Sequence, residues 1–180
     1  MTKLFLIVIG LFYFSSQTFG QSTGITSFIP AGYSILDSAS GDLNKDRLKD
    51  YVLILKADEE EEHADTTRPL LLLMGTARDQ YQLLARNDSV VLCKSCGGVF
   101  GDPYAGITIK NNFFSIEHYG GSNWRWTRII TFRYDTKSKQ FILHRDAGES
   151  FHTFDPDKRK LELYGKENFG KLLFAKYFYE

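Results

Sequence analysis

Asp42, Asn44, Asp46 and Asp50 stand in the pattern D-x-N-x-D-x-x-x-D, at the end of Gly41-Asp42-Leu43-Asn44-Lys45-Asp46-Arg47-Leu48-Lys49-Asp50. Carbonyl and carboxylate oxygens are the ligands a hard cation prefers, and calcium takes roughly six to eight of them. A tightly curled loop turns alternate side chains inward. Asp42, Asn44, Asp46, the carbonyl of Leu48 and Asp50 could therefore supply a calcium shell. Lys45, Arg47 and Lys49 interleave with these acids and oppose a cation. The other reading is an Asx-rich turn that folds without metal, its carboxylates neutralised by these basic side chains.

Tyr51-Val52-Leu53-Ile54-Leu55 follows the loop at once as an apolar strand. An EF-hand would place a bidentate Glu at its twelfth loop position. Counted from Asp42 that position is Leu53, so the loop is not an EF-hand. From Gly41 to Leu55 the chain instead resembles the calcium loop of FG-GAP (VCBS-type) repeats, the strand-loop units of integrin-like propellers. The resemblance implies calcium ligation by Asp42, Asn44, Asp46, Leu48 and Asp50. It departs at Arg47, where that family usually has Gly to supply positive φ. A propeller needs several blades and a visible repeat, and no second copy of the loop occurs. Phe28-Ile29-Pro30, Gly32-Tyr33 and Gly120-Gly121-Ser122-Asn123-Trp124-Arg125-Trp126 resemble a group of small exported bacterial proteins, a similarity that carries no activity with it.

Cys93 and Cys96 are the only cysteines. In an exported chain such a close pair reads as a disulfide. Gly97-Gly98 and Pro103 oppose the helix start that a thioredoxin-type centre needs, and no second pair completes a zinc site.

The stretch from Tyr119 to Trp126 joins Tyr119, Trp124, Arg125 and Trp126 to glycines and Asn123. Exposed aromatic rings beside polar groups suit sugar faces or peptide surfaces, so these four residues are the candidate ligand-binding set. The competing reading buries the rings in the core. For hydrolysis the loose candidates are His118 with Glu117 or Asp102, and His144 with Asp146. Neighbours on a strand point to opposite faces, so Glu117 and His118 cannot act together from a regular strand. No G-x-S-x-G or H-E-x-x-H motif occurs, and no catalytic residue is assigned.

Several elements must position these groups. Met1-Thr2-Lys3, the apolar run Leu4 to Phe14, and Thr18 and Gly20 ahead of a cut have the layout of a secretory signal peptide. The run is too short for a spanning helix, which needs about 20 apolar residues. Residues 1–20 are thus expected to be removed and 21–180 to form a single globular domain in the periplasm or outside the cell, with no membrane insertion. Losing Lys3 leaves a chain of balanced charge one unit acidic, which gives no case for nucleic acid.

Aromatic residues make up 15% of the chain, which favours strands. Tyr51 to Lys56 and Leu70 to Met74 are apolar on both faces and read as central strands. The acidic run Asp58 to Asp65 between them reads as a solvated surface loop. Gln80 to Ala85 and Val90 to Leu92 read as strands parted by an Asn87-Asp88-Ser89 turn. Ile107 to Lys110 and Phe113 to Tyr119 form a hairpin about Asn111-Asn112. Trp124 to Asp135 is a long strand with Trp124, Trp126, Arg128, Ile130, Phe132 and Tyr134 on one face, where Arg128 either meets a carboxylate such as Glu117 or Asp102 or is turned out by a bulge in the strand. Gln140 to Arg145 is its return strand, broken by Asp146 to Ser150. Leu172 to Tyr179 closes over the core as a strand or short helix.

The expected fold is all-β, or mainly β with short helices. Hairpins build an antiparallel sheet, sandwich or partly open barrel, not a full propeller. The function expected is that of an exported, non-catalytic structural or binding module for a carbohydrate or an unidentified protein, with calcium as the one implied cofactor. A secreted hydrolase and an inhibitor-like partner-binding protein are the alternatives.

Overall fold

The computed structural model describes residues 24–77 and 79–179, so the expected signal peptide lies outside the described residues. Two antiparallel sheets carry the fold. The first has four strands in chain order: β1 (Tyr33–Gly41), β2 (Asp50–Ala57), β3 (Arg68–Ala77) and β4 (Gln80–Val91). The second has five, also in chain order: β5 (Tyr104–Lys110), β6 (Phe113–Gly121), β7 (Trp124–Asp135), β8 (Gln140–His152) and β9 (Asp155–Tyr164). A one-turn helix, α1 (Lys166–Phe169), and a 3-10 turn at Phe174–Lys176 follow. The mainly β, hairpin-built fold expected from the sequence is what the chain adopts, with neither a closed barrel nor a propeller.

The both-faces-apolar runs are central because each face has its own cover. Val52, Ile54, Leu70, Leu72 and Met74 meet Phe114, Ile116, Ile130, Phe132, Phe141 and Leu143 of the second sheet in the main core. Leu53, Leu55, Leu71 and Leu73, on the opposite face, are covered by Ile25, Phe28 and Ile29 ahead of β1 and by Tyr33, Tyr51 and Tyr81. Full burial of one such side chain contributes about 1.5–3 kcal/mol. Alternation in β7 follows the expectation: Ile130 and Phe132 are fully buried, and the ladder with β6 sets them against Ile116 and Phe114.

The sheets meet on one side where β1 approaches β5, and the Tyr104 hydroxyl donates to Asp37 Oδ2 at 2.8 Å. On the other side the C-terminal segment runs from β4 to β8. Phe174 and Tyr177 enter the main core. Asn87 Nδ2 donates to the carbonyl oxygens of Phe174 (2.7 Å) and Tyr177 (2.8 Å). The expected lid is therefore a strap tied to β4 through its backbone.

Three expectations are corrected. β8 does not stop at Arg145 but continues through Asp146–Ser150 to His152, because a bulge at His144 keeps both Leu143 and Asp146 opposite inward-facing residues of β7. β4 is likewise continuous through Asn87, whose side-chain oxygen accepts from the Ser89 and Val90 N–H groups at 2.8 Å and absorbs the irregularity. The acidic run is not wholly solvated: Glu60 is buried against Arg68, and Lys94 pairs with Glu61.

Candidate functional site

The Asp42–Asp50 loop forms the β1–β2 turn, and its oxygens are engaged by its own backbone. Asp42 Oδ1 accepts from the Asp46 N–H and Oδ2 from the Arg47 N–H, both at 3.0 Å. Asn44 Oδ1 also accepts from Asp46 N–H at 3.0 Å, and Asp46 Oδ1 accepts from Leu48 N–H at 2.8 Å. Asn44 Nδ2 donates to Asp46 Oδ2 at 2.8 Å. Asp50 turns inward instead. It is fully buried and accepts from Leu43 N–H (2.7 Å) and Gly75 N–H (3.0 Å), fastening the turn to β3. Burial pushes the Asp50 carboxyl above the usual range, with these N–H groups opposing the shift.

Two non-glycine residues of the turn have positive φ. Lys45 has φ 67° and Arg47 φ 71°, so Arg47 occupies the left-handed conformation for which the resembled family uses Gly. Among the described residues, no group of three or more His, Cys, Asp or Glu side chains is placed to hold a metal ion. The Asp42, Asn44 and Asp46 side chains thus accept from backbone N–H groups of their own turn.

Cys93 and Cys96 form the expected disulfide, with Cα atoms 5.1 Å apart. It closes a turn just past β4 and leads into Gly97, whose carbonyl accepts from Gly121 N–H at 2.8 Å. Gly97 itself lies so close to Gly101 that a Cβ would stand 2.3 Å from its carbonyl oxygen. The disulfide loop is thereby pinned on the end of β6.

The four candidate ligand-binding residues fall into two groups, because a strand alternates its side chains. Arg125 lies on the outward face of β7. Its guanidinium stands 3.6 Å from the Phe100 ring centroid, and Phe100 is 5.8 Å from Tyr119. Trp124 and Trp126 lie on the inward face. Trp124 is half exposed and meets His152 edge-on, with ring centroids 5.1 Å apart. Trp126 packs over Gly120, where a Cβ would be 2.5 Å from the indole, so only glycine admits this ring.

Trp126 borders a groove of about 490 Å³ on the inward face of the second sheet, with Arg128, Ser150, Glu162 and Tyr179 among its walls. Arg128 forms its floor. Nε donates to Asp146 Oδ1 at 2.8 Å and Nη2 to Asp146 Oδ2 at 2.7 Å, and the guanidinium lies 4.2 Å from the Tyr179 ring centroid. The bond to Asp146 raises the Arg128 pKa further, so the guanidinium is always charged. The Tyr177 hydroxyl donates to Asp146 Oδ2 at 2.8 Å, and burial followed by the Asp146 charge raises its pKa. The expected partners of Arg128, Glu117 and Asp102, are not used. The sequence pointed to Asp146 only as a partner of His144, and ending the strand at Arg145 hid its place opposite Ile130 and that of Ser150 opposite Trp126. The signal was the parity of β8 continued past that point.

None of the proposed acid–base pairs is assembled. His118 is buried; Nε2 accepts from Leu92 N–H at 3.3 Å, and Nδ1 has no hydrogen-bond partner. Burial, helped by the Arg128 charge, pushes its pKa down to about 4. Asp102 instead accepts from Arg68 Nη1 and Nη2, both at 2.7 Å, and Glu117 meets Thr108 at 3.5 Å. His144 lies against Phe113, 4.9 Å between centroids, while Asp146 is held by Arg128 and Tyr177. Arg68, fully buried, also reaches Glu60 through Nε at 2.6 Å and Nη2 at 2.9 Å. Burial works against its charge and these bonds outweigh it, so the pKa rises.

Compared with known proteins, the chain matches no family model, no curated protein and no solved structure.

Proposed function

We propose that the protein is an exported, non-catalytic β module that binds a carbohydrate or protein ligand. The observation that carries this is the inward-face groove, where the Trp126 and Tyr179 rings stand with Ser150, Glu162 and the charged Arg128. Flat apolar rings flanked by a few directional polar groups are what a sugar face or an extended peptide needs. The disulfide and the leader-like N-terminus support a place outside the cytoplasm.

Calcium at the Asp42–Asp50 turn is a separate proposal, as a stabiliser away from the groove. The D-x-N-x-D-x-x-x-D spacing and the positive φ at Arg47 support it. The basic side chains Lys45, Arg47 and Lys49, and the inward turn of Asp50, stand against it.

The groove is tested by binding to glycan and peptide arrays, with wild type beside Trp126→Ala and Tyr119→Ala. Loss of binding in Trp126→Ala, with an unchanged fold and with binding kept in Tyr119→Ala, supports the reading. Silence of the wild type on every array, or equal loss in both variants, overturns it.

A further inference from the structure

The free side of β9 has the charge pattern of a strand that pairs with itself. β9 closes its sheet: it pairs with β8 on one side and has no ladder partner on the other among the described residues. The remaining sheet ends are covered, β1 and β5 by each other and β4 by the C-terminal strap. An uncovered strand of this length is a template for another strand. Its outward side chains are also apolar: Leu161 is 71% and Leu163 63% exposed, and Ile129 lies on the same sheet face two strands away.

We propose that two copies of this chain associate through β9, antiparallel and centred on Leu161. In that register Leu161 faces its own counterpart, Lys160 faces Glu162, Arg159 faces Leu163 and Lys158 faces Tyr164. Moving the centre by one residue sets Lys160 against Lys160 or Glu162 against Glu162, and like charges directly opposite are destabilising. Of these three centres, only Leu161 puts unlike charges across the axis in both directions without setting a charged residue against its own copy. In the single chain Lys160 and Glu162 bond each other at 2.7 Å while largely exposed. Pairing replaces that one contact with an alternating quartet. Such an interface is two-fold and closed, so association stops at the dimer. Glu162 also walls the groove beside Arg128, so the partner strand extends the wall of each groove. The dimer does not depend on what the groove binds.

Sedimentation equilibrium of the exported chain across the micromolar range provides the test. Wild type is expected to be a dimer, and Lys160→Glu to weaken it at least about tenfold while its circular dichroism stays that of the folded wild type. The exchange Lys160→Glu with Glu162→Lys is expected to restore the dimer with itself, yet not to co-purify with tagged wild type. A wild type that stays monomeric throughout, a dimer indifferent to Lys160→Glu, or an exchanged variant that mixes freely with wild type would overturn the proposal.

Discussion

Arg128 of β7 and Asp146 of β8 are joined by two hydrogen bonds, and the Tyr177 hydroxyl completes the second carboxylate oxygen. One ion pair thus ties the strap to the sheet it covers. Asp146 is buried while Arg128 keeps 22% of its side chain exposed. Removing Asp146 takes from Arg128 the carboxylate that holds it through two bonds, and takes from the Tyr177 hydroxyl its acceptor. The full cost of breaking a buried pair is discounted here for the solvent at Arg128. Asp146→Ala is therefore expected to lose about 2 kcal/mol in urea unfolding, and to speed hydrogen exchange at Phe174 to Tyr179 before other segments. Unchanged protection of the strap would refute the tie.

His118 makes stability depend on pH. Burial pushes its folded-state pKa down to about 4, against the ordinary 6.5 of a histidine. The unfolded chain then binds the extra proton between these values, so stability rises with pH there. It is fully present above pH 6.5 and is lost as pH falls towards 4, by on the order of 3 kcal/mol. Asp102, Arg68, Arg128 and Asp146 are the charges that act on the ring. His118→Gln, whose side-chain oxygen still accepts from Leu92 N–H, is expected to flatten the urea midpoint across that window. A wild-type midpoint constant between pH 7 and 4 would rule the effect out.

Arg47 holds the left-handed conformation at φ 71°. A non-glycine residue there is strained by about 1 kcal/mol, so Arg47→Gly is expected to raise stability by roughly that amount. With calcium bound at the turn, melting temperature would rise by mass action, Asp46→Ala would abolish the rise, and Arg47→Gly would enlarge it. Identical melting of wild type in calcium and in chelator would end the calcium proposal.

The elements legible in the sequence are those whose signal is local. Val52–Leu55 and Leu70–Met74 declare central strands because no surface strand is apolar on both sides. Asn111, at φ 56°, supplies the turn that its residue type implies. The alternation from Trp124 to Tyr134 gives the inward face of β7 outright. What stayed hidden was non-local. Nothing near Asp146 says that its partner is Arg128 on the preceding strand, since the bulge at His144 sets the parity only once β7 and β8 have paired. Glu60 sits in an acidic run that reads as solvent-facing until Arg68 is seen to lie beneath it. Tyr119 to Trp126 reads as one aromatic cluster, yet the turn at Gly121 and the strand's alternation divide it between two faces.

Arg68 sits on β3, Glu60 in the connector before it and Asp102 just ahead of β5, so one guanidinium is shared by both halves of the molecule. Lysine could not replace it, having a compact ammonium in place of the planar fork that serves both carboxylates. Parting the halves would break the two bonds to Asp102, while Glu60, in the same half as Arg68, kept its own two.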